Sequence, residues 1–287
     1  MPELITNIGR LLADPFTFPF MQRALLATVM VGIVCAVIGT FVVVKGLAFV
    51  GDALAHASFS GVAVAFVLKA SIYLGAAMAA VCTALAITFV SRRGRVSSDT
   101  AIGVLFSGAF SLGIVIISQV RNYTVDLFAF VFGNVLGVGS DDLWLIGGAS
   151  LLILGLIALL YKELLFVAFD PVMAEASGLP VGPLQYLLLG LLGVTVVSAM
   201  KAIGIVLVVA MLVTPAATAT MLTQRFHRVM LIGATLSVAA SILGLYISYY
   251  ANVASGASIV LVSTVIFLIV MLLPAGAREQ LGVAAPS

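Results

Sequence analysis

The apolar runs in this chain are too long for any water-soluble fold to absorb. Segment 21–44 carries Arg23 as its single charge. A helix needs about 20 such residues to cross the hydrocarbon core of a bilayer. Further candidate spans lie at 53–68, 72–91, 100–118, 143–161, 184–200, 203–222, 229–250 and 258–273, which makes nine. The run 53–68 is short and 203–222 contains Pro215, so either could be a partial or broken span. Of 287 residues, 63% are hydrophobic and 8% charged, where a soluble protein carries roughly a quarter. Too few polar side chains remain to coat a water-facing surface. This excludes a soluble enzyme, a DNA-binding protein and a disordered chain. An outer-membrane barrel would show short alternating segments instead. The fold class is therefore all-α, a polytopic helical membrane protein of about eight or nine transmembrane helices.

Residues 1–20 read as an N-terminal segment, 21–274 as one transmembrane domain and 275–287 as a short cytoplasmic tail. The Gly-punctuated stretch 127–139 reads as a short helix at the membrane face. No basic flank precedes a short apolar core at the start, so no cleavable signal peptide is expected. Cytoplasmic loops are enriched in Lys and Arg, which puts Arg92, Arg93 and Arg95 inside. Alternation then places eight of the 13 cations inside, the others being Lys45, Lys162, Arg225, Arg228 and Arg278. Arg10, Arg23, Lys69, Arg121 and Lys201 fall outside, with Asp126, Asp141 and Asp142. Nine spans put the N-terminus outside and the C-terminus inside; eight would move the N-terminus inside.

Three stretches carry candidate chemistry. In GDALAHASFSGVAVAF, Asp52 and His56 are four apart and share one helix face, which Ser60 and Ala63 continue. Ionisable groups at membrane depth are costly and mark ion paths, and a carboxylate and an imidazole at this spacing can both reach one divalent metal. Equally, Asp52 after Gly51 could be an N-cap and His56 a helix–helix hydrogen-bonding group. In FDPVMAEASGLPVG, Asp170 reads as N-cap and Pro171 as first helical residue, with Gly178 and Pro180 as the stop. A capped helix over 171–177 in a cytoplasmic loop suits docking better than mere connection. In the third stretch Pro215 sits in an apolar run near Thr214, Thr218 and Thr220. Threonines can re-satisfy a carbonyl freed by proline, so this segment either lines a path or holds a static kink. His227, between arginines, reads as a solvated surface group. Cys35 and Cys82 fit neither a metal nor a disulfide pattern and read as buried small hydrophobes.

No P-loop, H-E-x-x-H or G-x-S-x-G signature occurs. An intramembrane enzyme is disfavoured, and this chain does not bind ATP by a P-loop.

The blocks GDALAHASFSGVAVAF, FDPVMAEASGLPV, IGIVLVVAMLVTPAATA and SGASIVLVSTVIFLIV, in this order, resemble the membrane permeases of metal-ion (zinc, manganese, iron) ABC importers, over about 21–273. The resemblance implies a vitamin-B12-importer-like permease fold and a homodimer of about 16–18 helices in a bacterial cytoplasmic membrane. It implies cytoplasmic ATPase subunits docked on the segment of Asp170, Pro171, Glu175 and Gly178, and an extracytoplasmic metal-binding protein delivering the ion. Asp52 and His56 match the family's transit positions, while Ser60, Thr214 and Pro215 are candidates to line the pathway. No cofactor is expected to be permanently bound; the ion is cargo. The absence of a thiol near Asp52 and His56 leans towards manganese. One departure stands at NVASGAS, where Asn252 and Ala254 occupy positions often held by aspartate and proline. The rival reading is an ATP-independent metal or proton-coupled carrier or channel.

Overall fold

The computed structural model describes residues 14–92, 97–118 and 135–273. Arg10, Arg93, Arg95, Arg121, Asp126, Arg278, most of the 127–139 segment and the tail lie outside them. Of that segment a 3-10 turn, Val135–Gly137, is described. Among the described residues nine helices are long and apolar enough to span a membrane. We number all helices in chain order: α1 Pro19–Val44, α2 Ala48–Val67, α3 Ile72–Arg92, α4 Ser98–Ser118, α5 Ser140–Leu159, α6 Tyr161–Phe169, α7 Pro171–Ala176, α8 Val181–Ile203, α9 Ile205–Leu222, α10 Phe226–Ala251 and α11 Ser255–Leu272.

Several boundaries differ from the sequence expectation. The short run at 53–68 is a full span because α2 begins at Ala48. The turn before it is compact: Gly46, at φ +67, donates to Val43 O at 3.0 Å and Leu47 to Val42 O at 2.8 Å. This paired closure satisfies the last carbonyls of α1 and lets α2 start at once. The span at 143–161 ends at Leu159, and the residues after it form a separate helix, α6. Gly204, at φ +80, separates α8 from α9. Pro215 does not interrupt α9. Thr218 and Thr220 donate to Thr214 O and Ala217 O, each at 2.7 Å, so they bond within their own turns. They do not serve the Met211 carbonyl that a proline at 215 frees. Cys35 is buried but Cys82 is exposed on α3, so only the first is a core residue.

Spans α1, α2 and α8 are the most enclosed, whereas α4 and α5 present mostly bare apolar faces. Lipid offers no hydrophobic drive between helices, so close packing by small residues holds them together. Gly61 of α2 and Gly75 of α3 show it: a Cβ on either would overlap the other's carbonyl. The two backbones therefore cross in direct contact.

The connectors sort into two faces. Phe226 packs edge-on against Phe41 at 4.7 Å and lies 5.8 Å from Phe169 and 6.3 Å from Tyr161. Lys45 Nζ donates to Val167 O at 3.3 Å. The ends of α1 and α6 and the start of α10 thus share one face. On the other, Phe18 meets Tyr249 at 6.2 Å. The first face carries Lys45, Arg92, Lys162, Arg225 and Arg228 and is read as cytoplasmic. With Cys35 and Cys82 replaced by alanine, Ser97→Cys is expected to be protected from an impermeant external thiol reagent and Ser140→Cys to react. The reverse pattern would invert the topology.

Candidate metal transit site

Helix α2 is rich in alanine, the best helix former, and needs no side-chain cap: Leu47 stands at its N-cap. Asp52 is the fifth residue, so the N-cap reading of Asp52 is wrong. Its carboxylate sits near the positive end of the helix dipole, which favours the charge. His56 follows one turn later, in the most enclosed span of the bundle.

The two side chains meet. His56 Nδ1 lies 3.3 Å from Asp52 Oδ1 and 3.0 Å from the Asp52 carbonyl oxygen. Both are partly open, with 30% of the His56 side chain and 46% of the Asp52 side chain accessible. A protonated Nδ1 donates to Asp52 and leaves the Nε2 lone pair free, the arrangement in which a carboxylate orients a metal-binding imidazole. Nδ1 and Oδ1 can take one ion together only if the ring turns away from the Asp52 carbonyl that accepts the Nδ1 proton. Either way two ligands are too few, and no group of three His, Cys, Asp or Glu occurs among the described residues. A site of two ligands would hold an ion loosely.

A wall of aromatic rings flanks the imidazole, and sequence reasoning missed it. Phe106 and Phe110 of α4 meet His56 edge-on at 5.4 and 5.7 Å. Phe59 backs Phe110 at 5.6 Å. Gly113 brings α4 this close, since a Cβ there would crowd Phe59 and the Ser60 backbone. The i, i+4 spacing of the two phenylalanines was visible, but aromatic pairs in an apolar run are commonplace. Edge contacts of this kind contribute about 0.5–1.5 kcal/mol each. Phe110→Ala should therefore raise the KM for metal uptake roughly three- to tenfold, with Phe110→Leu intermediate. An unchanged KM in Phe110→Ala would remove the wall from the site.

The remaining candidates do not join this cluster. Ser60 is buried, its hydroxyl donating to Ala57 O at 2.8 Å. Pro215 is buried and its carbonyl faces Gly233 of α10; Thr214 is half-buried. His227 is exposed at the start of α10. Asn252 adopts left-handed backbone, φ +52, at the end of α10. Asparagine tolerates that conformation well, which gives the residue a structural task at the turn.

Helix α7 is built as its sequence indicates, one residue shorter at the end. Asp170 Oδ1 accepts from Met173 N–H at 2.9 Å and Pro171 opens the first turn. Gly178, at φ +84, donates to Glu175 O at 3.0 Å and Leu179 to Ala174 O at 3.1 Å. Ala174 is fully buried beneath, while Val172 is 77% and Met173 55% exposed. These two adjacent apolar side chains are exposed on a short helix outside the spans.

A model of the ABC 3 transport family matches residues 17–274. The manganese transport system membrane protein MntC of Halalkalibacterium halodurans is 48% identical, over 92% of this chain and 90% of its own length. The chelated iron transport system membrane protein YfeD of Yersinia pestis is 35% identical, over 91% and 88%. A chain of PsaBC from Streptococcus pneumoniae, solved in complex with Fab, superposes with a TM-score of 0.82 at 38% identity, covering 96% of this chain and 99% of that one.

Proposed function

The chain belongs to the ABC 3 transport family, and from that premise we propose that it is the permease subunit of an ATP-binding-cassette importer carrying a divalent transition metal ion into the cytoplasm. Manganese is the favoured cargo, with iron and zinc as alternatives. Relatives bear the names of manganese and chelated-iron transport systems, and a mixed oxygen and nitrogen site accepts all three ions. The observation that carries the reading is the Asp52–His56 pair, a carboxylate oxygen 3.3 Å from an imidazole nitrogen in the most enclosed span.

Two ligands per chain suit a homodimer. A two-fold axis along the pore would bring two carboxylates and two imidazoles to one place. Four ligands hold an ion, and their loose placement releases it, as import requires. Thr214 and Ser60 remain candidates to line that route. Helix α7 is the proposed seat of a cytoplasmic ATPase subunit, with Val172 and Met173 as its contacts, and Glu175 beside them. An extracytoplasmic metal-binding protein would deliver the ion at the opposite face. The membrane is the bacterial cytoplasmic membrane.

A carrier or channel working without ATPase would have no use for a capped helix on the cytoplasmic side. The test is reconstitution in liposomes with the ATPase subunits and the metal-binding protein. ATP-dependent Mn²⁺ accumulation is expected. Accumulation driven by a proton gradient in the permease alone would establish the carrier instead.

A further inference from the structure

A cavity of about 490 Å³ opens at the cytoplasmic face between the ends of α1 and α3, the starts of α4 and α8, and α7. Its inner wall is apolar and belongs to the spans: Ile87 of α3, Leu188 and Leu189 of α8. Its outer wall is polar and cationic, with Lys45 and Arg92 against a single acidic group, Glu175. Among the described residues neither cation is in an ion pair. Lys45 spends one donor on the Val167 carbonyl, and burial pushes its ammonium below the usual lysine range. The Arg92 guanidinium lies against Gly182 in the first turn of α8, where a Cβ would collide with it. Ser91 Oγ is buried at the same wall without a hydrogen-bond partner among the described residues. Ser98 and Val181, the first residues of α4 and α8, also line the space. The two helix N-termini add positive potential, although the Val181 N–H is already spent on Leu179 O at 2.9 Å.

This combination has one chemical complement. We propose that the cavity binds a phosphate group at the membrane boundary, supplied by the headgroup of an anionic phospholipid of the cytoplasmic leaflet or as free inorganic phosphate. Lys45, Arg92 and Ser91 hold the phosphate oxygens, and the apolar wall of Ile87, Leu188 and Leu189 receives the glycerol and first acyl carbons. Basic pockets between spans on the cytoplasmic side are suited to such headgroups, and the volume fits a headgroup. The two sources differ in what the apolar wall contributes: a lipid uses it, the free ion does not. The site is separate from Asp52 and His56 and does not depend on the cargo. Because Pro171, Val172 and Glu175 of α7 form part of the rim, an occupant steadies the segment proposed to meet the ATPase.

The test uses the full-length permease in detergent, with lipid retention read by native mass spectrometry and thermal unfolding read in parallel. Phosphatidylglycerol, phosphatidylethanolamine and inorganic phosphate are added in separate arms. Retention of phosphatidylglycerol over phosphatidylethanolamine by roughly tenfold is expected, in line with two cations near the surface, with a matching rise in unfolding temperature. Lys45→Gln combined with Arg92→Gln should abolish the preference. Arg92→Gln alone, on an exposed side chain, should reduce it and guards against misfolding of the double variant. Stabilisation by inorganic phosphate without lipid preference, lost in the same variants, assigns the site to the free ion. Equal retention of both lipids with no effect of phosphate, or a preference that survives in both variants, overturns the proposal.

Discussion

Asp52→Ala and His56→Ala are each expected to bring metal uptake to background while leaving the folded permease intact. The contacts of the pair explain why stability should survive. His56 Nδ1 bonds within its own turn, to the Asp52 carbonyl and carboxylate. Its outside partners are the edges of Phe106 and Phe110, worth about 0.5–1.5 kcal/mol each. Alanine is the best helix former, so α2 itself gains. An ionisable group within a span costs at most about 2.5–3.5 kcal/mol on the lenient insertion scale, the figure for the helix centre. Insertion is not harmed by its removal. Transport, by contrast, loses half of an already incomplete ligand set. Asp52→Asn sharpens the test: it keeps shape and an acceptor oxygen but drops the charge, and uptake should still fall. Mn²⁺ and Zn²⁺ uptake measured beside thermal unfolding separates the two effects. Wild-type uptake in both alanine variants would take the pair out of the pathway.

Ala174→Pro is expected to abolish uptake while the permease still inserts. The substitution removes the bond from Ala174 N–H to Asp170 O, 3.0 Å in the native helix. Proline in a helix interior costs about 3 kcal/mol or more. Helix α7 has six residues, far fewer than the roughly 12 below which even favourable isolated helices are marginal. It has no reserve, and Ala174, fully buried, has no room for a ring. The spans found among the described residues are separate helices, and their own backbone hydrogen bonds are untouched. Glu175→Arg probes the same surface without breaking the backbone and should weaken ATPase stimulation. Normal uptake in Ala174→Pro would mean that α7 is a connector only.

The spans were legible because the apolar runs are long and the bilayer fixes the length required. Their edges were less so. The start of α2 was hidden because Asp52 looks like a beginning, whereas the chain turns tightly through Gly46 and Leu47, five to six residues earlier. Helix α6 is hidden because Tyr161–Phe169 is a short segment whose only charged residues, Lys162 and Glu163, read as a loop between apolar runs. The capped helix α7 was read almost residue for residue, since Asp170, Pro171 and Gly178 are local signals that need no tertiary partner. The spacing of Asp52 and His56 also foretold their meeting. Pairing between helices is not local: nothing in the sequence said that Gly61 faces Gly75, or that Gly113 brings Phe110 to His56. The cytoplasmic cavity is assembled from five separate helix ends and was equally out of reach.

The measurement that bears most directly on this account is anomalous diffraction from the permease–ATPase complex crystallised with Mn²⁺. An anomalous peak within bonding distance of the Asp52 carboxylate and the His56 imidazole, doubled across a two-fold axis or lying on it, is the predicted result. A peak elsewhere in the membrane region, with Asp52 and His56 still bonded to each other and empty, would contradict it.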